Sequence, residues 1–240
     1  DPFNFVYDPL LITGIDGVAA AMINRLNVED KPGYTRLSGS YYSTWWNGGL
    51  RTTPYYHNMI GILTEMVGSP EPMTIEVLPN RLIPNNATPY PVLPQKWHFQ
   101  KSIDYSVSLN YAVLNYARRF GDELLFNIYK MGQNSIEKGS KDHWTLQPNK
   151  AEKLIEMAGP NTTGSQLNLT VPKQFYDSVY QDLASRDARG YILSSDQPDF
   201  PTVVTFMNAL SKSGIQIHRA NQSFQVNGKS YPAGSFIVKT

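Results

Sequence analysis

Cysteine is absent from all 240 residues, which excludes disulfide staples, thiolate nucleophiles and thiolate metal ligands, and leaves the compartment open. A marked excess of either charge is missing too. The 21 basic and 20 acidic residues nearly cancel, and neither sign gathers into a block. That argues against nucleic acid or an anionic membrane as the main partner. No uninterrupted apolar run approaches the roughly 20 residues of a membrane helix, so no membrane span is expected. Histidine is scarce. The four, His57, His98, His143 and His218, lie far apart, and none is followed three residues later by Glu or Asp. What remains is ample apolar content, 41%, with 17 Pro and 15 Tyr: enough for the core of one large domain or two small ones.

The most informative stretch is YYSTWWNGGLRTTPYYHNMIGILTEMVG, residues 41–68. Met59, Ile60, Ile62 and Leu63 form a short apolar run bounded by Pro54 upstream and by Gly68 and Pro70 downstream, a pattern that predicts a buried strand of an α/β sheet over 54–65. Glu65 closes it. A carboxylate at such a strand end is costly unless paired, solvated or used. Two readings follow: a catalytic base facing the aromatic loop at 40–50, or a strand-end carboxylate in solvent or paired with Arg51 or Arg81. Likewise, Tyr41, Tyr42, Trp45 and Trp46 read either as packing or as a surface that grips a peptide or glycan. His57 reads as a structural histidine, and Asp104 and Glu123 as residues of a solvated helix face. Gly48, Gly49 and Arg51 have the composition of an anion site.

The order of DPFNFVYDPL, SGSYYSTWWNGGLRTT and YYHNMIGILTEMVGSP within residues 1–75 resembles the C-terminal half of the catalytic domain of zinc carboxypeptidases of the carboxypeptidase A type, in particular large secreted or periplasmic bacterial members. By that resemblance Glu65 is the general base. Tyr42, or alternatively Tyr34 in Tyr-Thr-Arg-Leu-Ser-Gly, closes over the C-terminal residue of a peptide substrate. The family holds zinc with a His-x-x-Glu pair and a later His, all upstream of the catalytic glutamate. This chain has no such set, so the expectation is a piece of a larger metallopeptidase whose zinc ligands precede Asp1. No metal ligand is assigned within the segment, which on its own is expected to be inactive. The resemblance implies a periplasmic or secreted location. The sequons at Asn86, Asn161, Asn168 and Asn221 add little to it.

Along the chain, the near-helical spacing of Leu10, Leu11, Ile12, Val18, Ala19, Met22, Ile23 and Leu26 over 10–27 predicts a helix from about Gly14. Seven prolines over 69–95 forbid helix there and disfavour a central strand. Residues 97–137 read as helical with a break at Gly121, and 138–150 as an exit loop that Trp144 and Leu146 pin down. Gly159 to Ser165 has linker composition. Beyond it comes a strand–helix–strand pattern: a strand at 191–193, a helix with Pro201 in its first turn, Asp199 or Phe200 near its cap and Gly214 at its end, and a strand at 215–218. A hairpin follows, turning on Asn227-Gly228. This last part resembles the glutamine-amidotransferase-like domain that follows the peptidase domain in some of those proteins, without its nucleophilic cysteine. The fold class expected is therefore α/β: a mixed-sheet carboxypeptidase-like part over 1–150, then a smaller flavodoxin-like accessory segment over 151–240.

Overall fold

The structure is a computed structural model that describes residues 3–35, 42–165 and 168–240. The chain is mixed α and β and divides into two compact units, Asp1–Asn134 and Ser135–Thr240.

In the first unit α1 runs Pro9–Val28. Asp8 caps it, accepting from the Leu10 amide at 2.9 Å, and Pro9 occupies the first turn, where its missing N–H costs nothing. By length and composition alone α1 is long and apolar enough to cross a membrane. Here its Leu11, Val18, Met22 and Leu26 are buried within the unit. A two-stranded antiparallel ladder follows, β1 (Met73–Ile75) against β2 (Gln95–Trp97), with Met73 opposite Trp97. The proline-rich segment between them carries one 3₁₀ turn, Pro79–Arg81. Helix α2 (Phe99–Arg119) then packs on α1. Tyr105, Leu109 and Ala112 of α2 share a core with Val18, Met22 and Leu26 of α1 and with Trp97. Those positions recur every three or four residues on each helix, the geometry of two facing stripes. Phe120 ends α2, and α3 (Gly121–Ser140) starts at the glycine the sequence marks as a break.

Polar contacts fasten the end of α1 to α2. Glu29 accepts from Arg25, Lys31 and Ser108, and Lys31 also donates to the Asp104 carbonyl at 3.1 Å. Those donors, Lys31 first, then Ser108 and Arg25, hold the Glu29 carboxyl down at about 2. Tyr105 is pushed up to about 12 by burial, and its hydroxyl donates to the Pro32 carbonyl at 2.9 Å.

The second unit contains α4 (Pro148–Ala158), α5 (Lys173–Tyr180), β3 (Gly190–Leu193), α6 (Phe200–Lys212), β4 (Ile217–Arg219), β5 (Phe224–Val226), β6 (Lys229–Tyr231) and β7 (Phe236–Lys239). The strand–helix–strand order is borne out: β3 and α6 lie within one residue of the expected bounds, while β4 starts at Ile217 rather than Ile215. Asp199 accepts from the Thr202 amide at 3.2 Å to cap α6, and Gly214 follows the helix at φ 82°. β7 is the centre of the sheet, antiparallel to β3 on one side and to β4 on the other, so β3 and β4 run parallel to each other. One face of this sheet packs on α6 through Val203, Met207 and Val238. The Asn227-Gly228 hairpin joins β5 and β6. Both turn residues take positive φ, 51° and 78°, which suits the primed turn that matches strand twist. Helices α4 and α5 were not anticipated. The spacing of Ala151, Leu154, Ile155 and Ala158 behind Pro148 carried the signal for α4. Trp144 does pin the connection between α3 and α4, its indole N–H donating to the Asp182 carbonyl at 2.9 Å, whereas Leu146 is exposed.

Candidate active site

The strand expected over 54–65 does not form. Residues Thr53–His57 make a 3₁₀ turn, Asn58 leaves it in the left-handed region at φ 59°, and residues 59–70 are irregular. A strand needs a ladder partner, and among the described residues nothing pairs with this segment. Its apolar side chains are not buried as a core strand's would be. Met59, Ile62, Leu63 and Val67 are all exposed.

The segment is nevertheless held at both ends. At the first, Ile60 packs against the cores around α1, and Gly61 lies against the backbone of Arg51. A Cβ on Gly61 would stand 1.8 Å from the Arg51 carbonyl oxygen, so only glycine fits without backbone movement. The buried Tyr55 hydroxyl donates to the Gly61 carbonyl at 3.1 Å. At the second end Met66 packs on the α1/α2 core, and Ser102 of α2 donates to the Val67 carbonyl. Residues 62–65 are exposed between these anchors, and Glu65 is the last of them. Among the described residues its carboxylate takes part in no ion pair or hydrogen bond.

The pairing with Arg51 weighed from the sequence is not made, because Arg51 is committed to the aromatic loop. Its guanidinium donates to the Ser43 carbonyl and lies over the Tyr42 ring, 5.6 Å from the centroid. Tyr42 is half-buried, and its hydroxyl has no hydrogen-bond partner. Thr52 donates to the Trp46 carbonyl and Thr53 to the Asn47 carbonyl (2.7 Å for the latter), closing residues 46–53 into a compact turn. Tyr41 lies outside the described residues. Trp45 meets Phe5 edge to face at 5.0 Å, and the Tyr56 hydroxyl donates to the Trp45 carbonyl at 2.9 Å. Both tryptophans keep much of their surface in solvent, 43% for Trp45 and 63% for Trp46. Beneath the loop, Tyr7 packs edge to face on Tyr55 and Tyr56. Burial raises the pKa of Tyr55, and the nearby Arg51 charge opposes that rise.

Tyr34, the alternative substrate-covering residue, is engaged elsewhere. Its hydroxyl donates to the Asn27 side chain at 2.7 Å, and its ring packs on the α1/α2 core. His57 is exposed on the 3₁₀ turn. Zinc takes about three protein donors, and among the described residues no three of His, Asp or Glu come together to supply them. The residues that sequence reasoning missed are Gly61 and Tyr55. A lone glycine inside an apolar run is the signal that marks such close backbone approach.

No family model, curated protein or solved structure matches this chain.

Proposed function

We propose that this chain is part of a zinc-dependent metallocarboxypeptidase that hydrolyses peptide bonds near the substrate C-terminus, with Glu65 as its general base. The residue order of 1–75 suggests the reading, and one observation carries it furthest. Glu65 is held at a defined place by anchored backbone on both sides, yet its carboxylate is exposed and, among the described residues, paired with no cation. A general base must be available in that way, since a carboxylate locked in an ion pair has its proton-accepting oxygens occupied. In this reading the zinc donors come from elsewhere in the full-length enzyme. The part played by this segment is proton transfer and substrate cover: Glu65 accepts a proton from the attacking water and delivers it to the leaving amine, while Tyr42 closes over the terminal residue.

A second reading is a catalytically silent module that binds peptide or glycan. The exposed indoles of Trp45 and Trp46 favour it, since rings of that kind offer large, rigid contact area. The two readings separate on one experiment. The full-length, zinc-loaded protein is incubated with peptides of varied C-terminal residue, free and amidated, and the products are identified by mass. Release of single C-terminal residues from the free peptides supports the peptidase. No cleavage, together with peptide or glycan binding that is lost in Trp46→Ala, supports the module.

A further inference from the structure

We propose that Arg51 is the positioning residue that sets Tyr42 over the substrate and ties the Tyr42 loop to the segment bearing Glu65. This rests on the peptidase reading above and assigns a role that reading leaves empty.

Three contacts meet at this one residue. The guanidinium donates to the Ser43 carbonyl, the residue next to Tyr42. The same group covers the Tyr42 ring at 5.6 Å, so backbone and ring of the Tyr42 unit are held together. The backbone carbonyl of Arg51 abuts Gly61, where a Cβ would come within 1.8 Å, and Tyr55 clasps Gly61 from its own carbonyl side at 3.1 Å. Gly61 lies four residues before Glu65. A displacement of Arg51 therefore shifts the Tyr42 loop and the start of the Glu65 segment together. The Tyr42 hydroxyl makes no hydrogen bond, so the ring's position depends on Arg51 and on packing rather than on a bond of its own. A cation over an aromatic face and a charged donor to a carbonyl are both of useful strength when partly shielded from water, and Arg supplies the two at once through its planar fork.

The test uses the full-length, zinc-loaded enzyme and a peptide with a free C-terminus. Arg51→Ala is expected to raise KM about tenfold and to change kcat less than about threefold, because the loss falls on substrate cover. Placed on Tyr42→Ala, the same substitution is expected to change KM less than about twofold, since its route is already gone. KM effects that multiply in the double variant, or a loss confined to kcat, overturn the proposal. A second readout needs no peptidase activity. Chymotrypsin cleavage at Tyr42, Trp45 and Trp46, followed by mass spectrometry, should run about tenfold faster in Arg51→Ala while cleavage at other sites is unchanged, as local opening predicts. Equal cleavage in both proteins overturns the proposal. Failure of the peptidase reading has a separate signature: Glu65→Gln that cleaves as fast as wild type.

Discussion

Residues 59–65 and residues 190–193 look alike as text, and the chain treats them oppositely. Both are short apolar runs bounded by turn formers. Residues 190–193 become β3 because β7 supplies a partner for every one of them, Gly190 opposite Lys239 through Leu193 opposite Phe236. Residues 59–65 have no strand partner among the described residues and stay irregular, pinned by a glycine contact and a tyrosine hydroxyl instead. A strand is a pairing, and an apolar run states only half of it. The difference also bears on chemistry. Side chains in a ladder are committed to neighbours, whereas residues 62–65 stand exposed between two anchors and leave Glu65 unclaimed.

The comparison breaks most sharply under proline. Ile237→Pro places proline in the central strand β7, where Ile237 faces Ile192 and His218 at once. Interior ladder positions cannot lose a donor cheaply, and a cost of about 3 kcal/mol or more is expected. Leu63→Pro in the irregular segment should cost under about 1 kcal/mol, as for an exposed position away from such features. Urea unfolding of the 240-residue chain measures both. Equal costs would mean that residues 59–65 are a paired strand after all.

Gly61→Ala comes next. The added Cβ must displace the Arg51 carbonyl, a cost of about 1–3 kcal/mol of the kind seen on overpacking. Loss of thermal stability together with faster amide exchange at residues 51–61 is the expected result. An unchanged protein would show that the close approach is not real. Smaller still is Gly228→Ala in the β5–β6 hairpin, where φ 78° suits glycine and a Cβ costs about 1 kcal/mol. It should lower the unfolding midpoint slightly without changing the sheet.

Much of the second unit was legible because its signals are local. Asp199, Pro201 and Gly214 mark the two ends of α6, and Asn227-Gly228 names its own turn. Helices α1 and α2 of the first unit were legible for the same reason, since apolar spacing is written within each helix. The partner of a strand is not written beside it. The central place of β7, and the lack of a ladder partner for residues 59–65 among the described residues, depend on chain far away in sequence. The candidate site shows the same division. Glu65, Tyr42 and the aromatic loop could be singled out as residue types in an unusual order. That Arg51 is spent on Ser43 and Tyr42 rather than on Glu65 could not be read, because a sequence gives charges and no directions.

A titration sharpens the contrast between a committed carboxylate and a free one. Glu29 is held at about 2 by Lys31, Ser108 and Arg25, below its usual range near 4.5. A carboxyl lowered on folding adds stability that is fully present above about pH 5 and is lost as pH falls from there toward 2. The stability gap between wild type and Glu29→Gln should therefore be open at pH 7, shrink below pH 5 and close near pH 2. A gap that does not change with pH would mean the cluster does not hold the charged form.

The most direct test of the proposed peptidase reading is kcat/KM of the full-length, zinc-loaded protein and its Glu65→Gln variant on a peptide with a free C-terminus, taken with the thermal midpoint and zinc content of each. On that reading, removing the proton acceptor should lower the rate by about 10²–10⁴-fold, while midpoint and zinc content hold, since Glu65 is exposed and makes no ion pair among the described residues. Full activity in Glu65→Gln, or a variant that loses its fold along with its activity, would contradict the account.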